Sequence, residues 1–88
     1  MRARHPPPGP TITLTARGYK VRGLQKADLT WSGASSTNVD ILRNGSQIAT
    51  TLNDGFYTDN NKKGGGTYKY KVCEAGTSIC SNEATVTF

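Results

Sequence analysis

The chain has 88 residues, 34% of them hydrophobic, and carries a formal net charge of +5. A chain of this length makes one domain with a small core. No apolar run approaches the ~20 residues that a membrane-spanning helix needs, and no segment has helical periodicity. These features exclude a helical membrane protein and a helical bundle.

The N-terminal residues 1–10 are predicted to be a disordered, dispensable arm. Pro6–Pro10 is an extended, proline-rich segment typical of interdomain spacers, with a proline-motif ligand as the alternative. The preceding residues lead into prolines instead of an apolar stretch. If the domain is exported, we therefore expect its signal elsewhere in a longer parent chain.

From Thr11 onward, short alternating segments are separated by turn residues. Alternation of apolar and polar residues with period 2 predicts strands that have one buried face. Asn44-Gly45 is a strong hairpin signal, and residues 59–66 are predicted to be a loop. The predicted strands cover 11–15, 27–31, 39–41, 47–51, 55–58, 68–73 and 84–88.

Two cysteines, Cys73 and Cys80, fall where the last two strands would lie side by side. Pairing them leaves Gly76-Thr77 as a two-residue turn, for which glycine is suitable. We predict an intrachain disulfide, and with it an oxidising compartment such as the periplasm, the cell surface or the medium. Two unrelated thiols are the alternative, whereas a metal site is disfavoured because no histidine lies nearby.

Six or seven strands at intervals of 8–12 residues predict an all-β, antiparallel, immunoglobulin-like sandwich over residues 11–88. Several motifs occur in a particular order: Leu29–Trp31, Val39–Gly45, Tyr57–Asp59, Tyr68–Val72 and Ser81–Val86. In this order they resemble the fibronectin type III family, and more narrowly the modules appended to secreted bacterial hydrolases, including subtilisin-like proteases. The chain departs from the family in lacking Leu-x-Pro before the tyrosine corner and in having the cysteine pair.

The resemblance implies that Tyr68 is the tyrosine corner, with its hydroxyl bonded back to the preceding loop. Trp31 and Tyr70 would form the aromatic centre of the core, and a sugar-stacking role for them is the alternative. Tyr19, Phe56 and Tyr57 have less certain registers. They are the candidates for contact with a ligand.

No set of residues suggests catalysis or a bound cofactor. A nucleophile needs a base within hydrogen-bond reach, and the only histidine, His5, lies in the N-terminal arm. A calcium site could be imagined from Asp54 and residues 59–61, but these residues are typical of turns. Gly64–Gly66 lacks the lysine, serine and helix of a phosphate-binding loop. We therefore predict no enzyme, no cofactor and no metal.

Basic residues invite a nucleic-acid hypothesis. All six charged residues before Asp28 are basic, and Lys62, Lys63, Lys69 and Lys71 form a second group. Lys69 and Lys71 are predicted on the solvent face of their strand, where lysines also oppose aggregation and where they are further candidates for ligand contact. Such faces could bind acidic polysaccharide, cell-surface polymer or DNA, but we do not expect a nucleic-acid function.

The sequence thus predicts a monomeric, non-catalytic accessory module of a secreted bacterial multidomain hydrolase, with a protease as the expected parent. It would act as a spacer or as a weak contact to substrate or partner. Its expected partners are the catalytic domain of the same chain and a polymeric substrate. A dedicated carbohydrate- or matrix-binding module is the alternative.

Overall fold

The structure is a computed structural model that describes residues 11–88, except the side chain of Lys62. The predicted arm of residues 1–10 lies outside the described residues. Seven strands form two antiparallel sheets, and this confirms the all-β sandwich. The strands β1 to β7 span Thr13–Val21, Leu24–Ser32, Asn38–Arg43, Ser46–Leu52, Phe56–Lys63, Thr67–Glu74 and Ala84–Thr87.

The first sheet has the order β1-β2-β5 and the second the order β4-β3-β6-β7. Inward-facing side chains of both sheets meet in one core, as in β2, where Ala27, Leu29 and Trp31 are buried and the residues between them are more exposed. Burying one large apolar side chain stabilises the fold by about 1.5–3 kcal/mol. The buried core consists of Ile12, Leu14, Ala27, Leu29, Trp31, Val39, Ile41, Tyr70, Val72 and Val86.

β1 and β2 form a longer hairpin than the sequence predicts. Arg22 and Gly23 both have positive φ, of 54° and 82°, and make the two-residue turn between them. Gly18 lies inside β1, where a Cβ atom would come within 2.2 Å of Val86 Cγ1. The glycine that looks like a break in the sequence therefore allows β1 to approach β7 closely.

The Asn44-Gly45 hairpin joins β3 to β4, as the sequence predicts. Both residues have positive φ, of 52° and 83°, as the tight hairpin turn requires. The Asn44 side chain also accepts a hydrogen bond from the backbone N–H of Lys69 at 2.9 Å. This bond ties the turn to β6.

The predicted loop over 59–66 is wrong in its first half, because β5 continues to Lys63. Lys26 of β2 pairs with Asn60, and Leu24 pairs with Lys63 across a register shift. Asparagine and lysine are poor strand formers by local preference, but pairing with a neighbouring strand overrides that preference. Only residues 64–66 connect β5 to β6.

The segment after β6 also differs from the prediction. The N–H of Thr77 donates to the carbonyl of Glu74, so Ala75 and Gly76, not Gly76 and Thr77, are the central turn residues. Gly76 has a φ of 74° at the position where such a turn favours glycine. The chain then returns to an isolated bridge at Cys80 before β7 begins at Ala84.

The free edge of β1 is closed by a side chain. Asn82 Oδ1 accepts from the N–H of Leu14 at 2.8 Å, and Asn82 Nδ2 donates to the Leu14 carbonyl at 3.0 Å. The amide thus bonds to the edge as a neighbouring strand would. It joins the two sheets and satisfies backbone groups that would otherwise be exposed at an edge.

Candidate functional site

The aromatic residues assigned to the core lie in or against it. Trp31 is 5% exposed and Tyr70 is fully buried, while Tyr68 is half-buried at the rim of the core. The ring of Tyr68 packs edge-to-face on Phe88, with 5.8 Å between centroids. The indole N–H of Trp31 donates to Asn53 Oδ1 at 2.9 Å, so its polar edge is also satisfied.

The hydroxyl of Tyr70, which the sequence assigns only to the core, makes a hydrogen bond across the sandwich. This hydroxyl donates to Asp59 Oδ2 at 2.7 Å, and Arg43 Nη1 donates to the same oxygen at 2.8 Å. Burial, together with the bond to Asp59, raises the pKa of Tyr70. These side chains come from β6, β5 and β3, so the group ties the two sheets together.

The three less certain rings separate into different environments. Tyr57 is opposite Leu29 in the register and packs against the core. Tyr19 lies on the outer face of the three-stranded sheet and its hydroxyl donates to Asp28 Oδ1 at 3.0 Å, which raises the pKa of Tyr19. Phe56, opposite Thr30 on that face, is 51% exposed. The structure therefore does not bring these rings together into one stacking surface.

Three loops meet at one end of the sandwich: residues 33–37, 53–55 and 75–79. The Asn53 side chain donates to the carbonyls of Ala34 and Ser36, both at 2.9 Å. The Glu74 carboxylate accepts from the N–H groups of Ser35 and Ser36 at 3.0 and 2.8 Å, and from both serine hydroxyls. Asn53 and Glu74, which sequence reasoning missed, thus hold the loop over residues 33–37 to the loop over residues 53–55 and to the end of β6.

The hydrogen bonds to Glu74 have an electrostatic consequence. The Ser36 hydroxyl and the N–H groups of Ser35 and Ser36 all donate to the charged form of the carboxylate. They lower the pKa of Glu74 from its ordinary 4.5 to about 2. This carboxylate is therefore charged at neutral pH and holds residues 35 and 36 as a hydrogen-bond acceptor.

The imagined calcium ligands are also separated by their contacts. Asp59 is bonded to Arg43 and Tyr70, whereas Asp54 is exposed and accepts from the N–H of Phe56 at 3.2 Å. Within residues 11–88, no three His, Cys, Asp or Glu side chains are grouped so as to hold a metal ion. His5 lies outside the described residues.

The cysteines Cys73 and Cys80 are joined by a disulfide, at the end of β6 and in the isolated bridge that follows. It links β6 to the segment that leads into β7, whereas the sequence predicts a link between the last two strands. The bond is consistent with an extracellular location.

Cationic side chains are distributed over both outer faces of the sandwich. Lys69 and Lys71 are exposed on the outer face of the four-stranded sheet, as predicted from their register. Arg17, Lys26 and Lys63 lie on the outer face of the three-stranded sheet. The end that carries the three loops has no lysine or arginine in those loops.

No protein-family model, curated protein or solved structure matches the chain. No helix in residues 11–88 is long and apolar enough to cross a membrane. The strand order, the position of Trp31 on β2 and the Tyr-x-Tyr-x-Val run on β6 are compatible with an immunoglobulin-like or fibronectin type III-like sandwich. The fold of the described residues is a small antiparallel β-sandwich with a disulfide.

Proposed function

We propose that this chain is a non-catalytic accessory module of a secreted, multidomain bacterial hydrolase, of the fibronectin type III kind. Its role is that of a spacer with weak contacts to the catalytic domain of its parent chain or to polymeric substrate. The resemblance of its ordered motifs to that family supports the link to hydrolases, and to proteases in particular. The disulfide is in keeping with secretion.

The use of the aromatic residues is the observation that carries this proposal. Of the seven aromatic side chains in residues 11–88, six are buried, pack against the core or, in the case of Tyr19, are half-buried and bonded to Asp28. Binding modules that hold polysaccharides by stacking need exposed aromatic rings whose faces can contact the sugar. Here only Phe56 is exposed to that degree.

The outer faces of the sheets agree with a spacer. Their strands alternate inward apolar residues with exposed threonine, serine, asparagine and lysine, as in the β6 run Thr67, Lys69 and Lys71. Polar faces keep a module soluble between neighbouring domains without requiring a partner. Arg43, Asp59 and Tyr70 bond to one another between the two sheets, and we assign this group to the fold rather than to catalysis.

The alternative is a dedicated carbohydrate- or matrix-binding module, and the exposure of Phe56 is the observation in its favour. Pull-down of the 88-residue chain on insoluble chitin, cellulose and collagen, at low and high salt, distinguishes the two. We expect weak retention that falls as salt rises, because screening removes the attraction between exposed charges. Hydrolysis assays on the same polymers should show no turnover.

The same pull-down is repeated with the variants Phe56→Ala and Tyr19→Ala, each of which removes one aromatic ring from the outer face of the three-stranded sheet. Under the spacer proposal neither substitution changes retention at high salt. Tight, salt-resistant retention that Phe56→Ala abolishes would overturn the proposal and establish a stacking site. Hydrolysis of any of the polymers by the purified chain would overturn it as well.

A further inference from the structure

Three cations form a diagonal row on the outer face of the three-stranded sheet. Lys26 faces outward because its neighbours Gln25 and Ala27 are buried on the inner face. Arg17 pairs with Asp28, two residues along β2 from Lys26 in one direction, and Lys63 pairs with Leu24, two residues in the other. We call Arg17, Lys26 and Lys63 the basic diagonal.

The cations of the basic diagonal lie on adjacent strands. Diagonal neighbours on adjacent antiparallel strands are about 7–8 Å apart, which is the distance expected between Arg17 and Lys26, whereas the step from Lys26 to Lys63 crosses the register shift between β2 and β5. Arg22, exposed at the β1–β2 turn, adds a fourth cation near the Lys63 end. The carbon stem of Lys63 runs beside Gly23 of the same turn.

The cations of the basic diagonal are available to a partner. Among residues 11–88, the side chains that form an ion pair are Arg43 and Asp59, and neither belongs to the basic diagonal. Asp28 lies on the same face, opposite Arg17, and accepts from Tyr19 at 3.0 Å and from Thr58 at 2.8 Å. Because the three cations exceed this one carboxylate among the described residues of the face, the face carries a local excess of positive charge.

Hydroxyl and amide groups surround the row. Thr15, Thr30 and Asn60 are exposed on the same outer face, and Thr58 is half-buried there. Such groups suit the hydroxyls of a sugar, whereas single-stranded nucleic acid is held by several exposed rings as well as by cations. Two rings of the described residues lie on this face: Tyr19, opposite Lys26, is half-buried with its hydroxyl held by Asp28, and Phe56, opposite Thr30, is exposed.

From this arrangement we infer that the outer face of β1, β2 and β5 binds an anionic polysaccharide, with carboxylate or sulfate groups of the polymer on the basic diagonal. The inference rests on the extracellular setting of the proposed function and names the polymer class that the module contacts. Binding is electrostatic, spread over several exposed ion pairs, and therefore weak and sensitive to salt.

The test uses immobilised polygalacturonate, with neutral dextran and single-stranded DNA as comparison polymers. The variant Lys26→Gln/Lys63→Gln removes two charges from the basic diagonal. The matched control Lys69→Gln/Lys71→Gln removes two charges from the opposite sheet. Because all four side chains lie on outer faces, both variants should fold, which circular dichroism and thermal unfolding check.

We expect binding to polygalacturonate at low salt and none to dextran. Lys26→Gln/Lys63→Gln should weaken the affinity about tenfold, since each exposed ion pair contributes a few-fold at most. The control should change the affinity by less than about twofold. Binding should fall steeply as salt is raised.

Equal losses in the two variants would show that net charge, not the basic diagonal, is responsible, and would overturn the inference. No binding at low salt, or binding to single-stranded DNA at least as tight as to polygalacturonate, would overturn it too. Each of these results leaves the spacer proposal standing. That proposal fails on salt-resistant retention through Phe56, which does not depend on the basic diagonal.

Discussion

A few polar side chains hold together parts of the backbone that the sheets leave unpaired. Asn53 bridges the Trp31 indole and the carbonyls of residues 34 and 36, and Asn82 bonds to both backbone groups of Leu14. Glu74 holds the loop over residues 33–37 through its carboxylate. Each such contact removes the cost of an unsatisfied backbone group near the core.

The contact of Glu74 predicts a specific dependence of stability on pH. The pKa in the folded state is lowered to about 2 from 4.5, so the carboxylate stabilises the fold above the unfolded-state pKa. That stabilisation is lost as the pH falls from about 4.5 to about 2. Glu74→Gln should therefore be less stable than the wild type at neutral pH, and the difference should shrink in acid.

Denaturant unfolding of both proteins between pH 7 and pH 2 measures this difference. Glu83→Gln, at an exposed position outside the three loops, is the control and should follow the wild type. A difference between Glu74→Gln and the wild type that stays constant over the whole pH range would contradict the assigned role.

At the scale of the elements, the alternating segments could be predicted because each carries its own pattern. Leu29 and Trp31, or Tyr70 and Val72, indicate a buried strand face without knowledge of the partner strand. The second half of β5 could not be predicted, because Asn60 to Lys63 become a strand only through pairing with β2. Gly18 was misleading for a related reason: its role depends on β7, which lies far along the chain.

The close approach of β1 to β7 makes Gly18 sensitive to substitution. A Cβ atom there would meet Val86 Cγ1 at 2.2 Å, and Val86 is buried and β-branched, so it has little freedom to move. Gly18→Ala should lower the free energy of unfolding by about 1–3 kcal/mol, as overpacking does. Gly65→Ala, where the nearest atom would be 3.4 Å away, should change it by less than about 0.5 kcal/mol.

A double substitution tests the cause of this loss. In a Val86→Ala background the clashing methyl is absent, so Gly18→Ala should cost less than it does in the wild type. Equal costs in the two backgrounds, measured by chemical denaturation, would show that the contact with Val86 is not the reason.

The disulfide should stabilise the last hairpin. Closing a loop of this size contributes about 2–3 kcal/mol, mainly by restricting the unfolded chain. Mass spectrometry with and without reduction should show the loss of two hydrogens in the untreated protein, and the reduced protein should unfold at lower denaturant concentration. Two free thiols in the folded, untreated protein would contradict the bond between Cys73 and Cys80.

At the scale of the whole molecule, the fold class followed from the number and spacing of the patterned segments, whereas the candidate surfaces did not. The sequence identified Lys69 and Lys71 as exposed from the alternation of one strand. It could not reveal the basic diagonal, because Arg17, Lys26 and Lys63 lie on three strands whose registers are set by the folded sheet. The tie of Arg43, Asp59 and Tyr70 likewise depends on both sheets together.

This small sandwich uses most of its aromatic rings to build its core, so few remain for binding. The free energy of unfolding of Trp31→Ala, compared with that of Phe56→Ala, tests this use of the rings. Trp31 is 5% exposed and Phe56 51% exposed. Trp31→Ala should cost about 3–5 kcal/mol through the cavity it opens, and Phe56→Ala about 1 kcal/mol or less. A loss below about 1 kcal/mol for Trp31→Ala would mean that the indole is exposed, and would contradict the account.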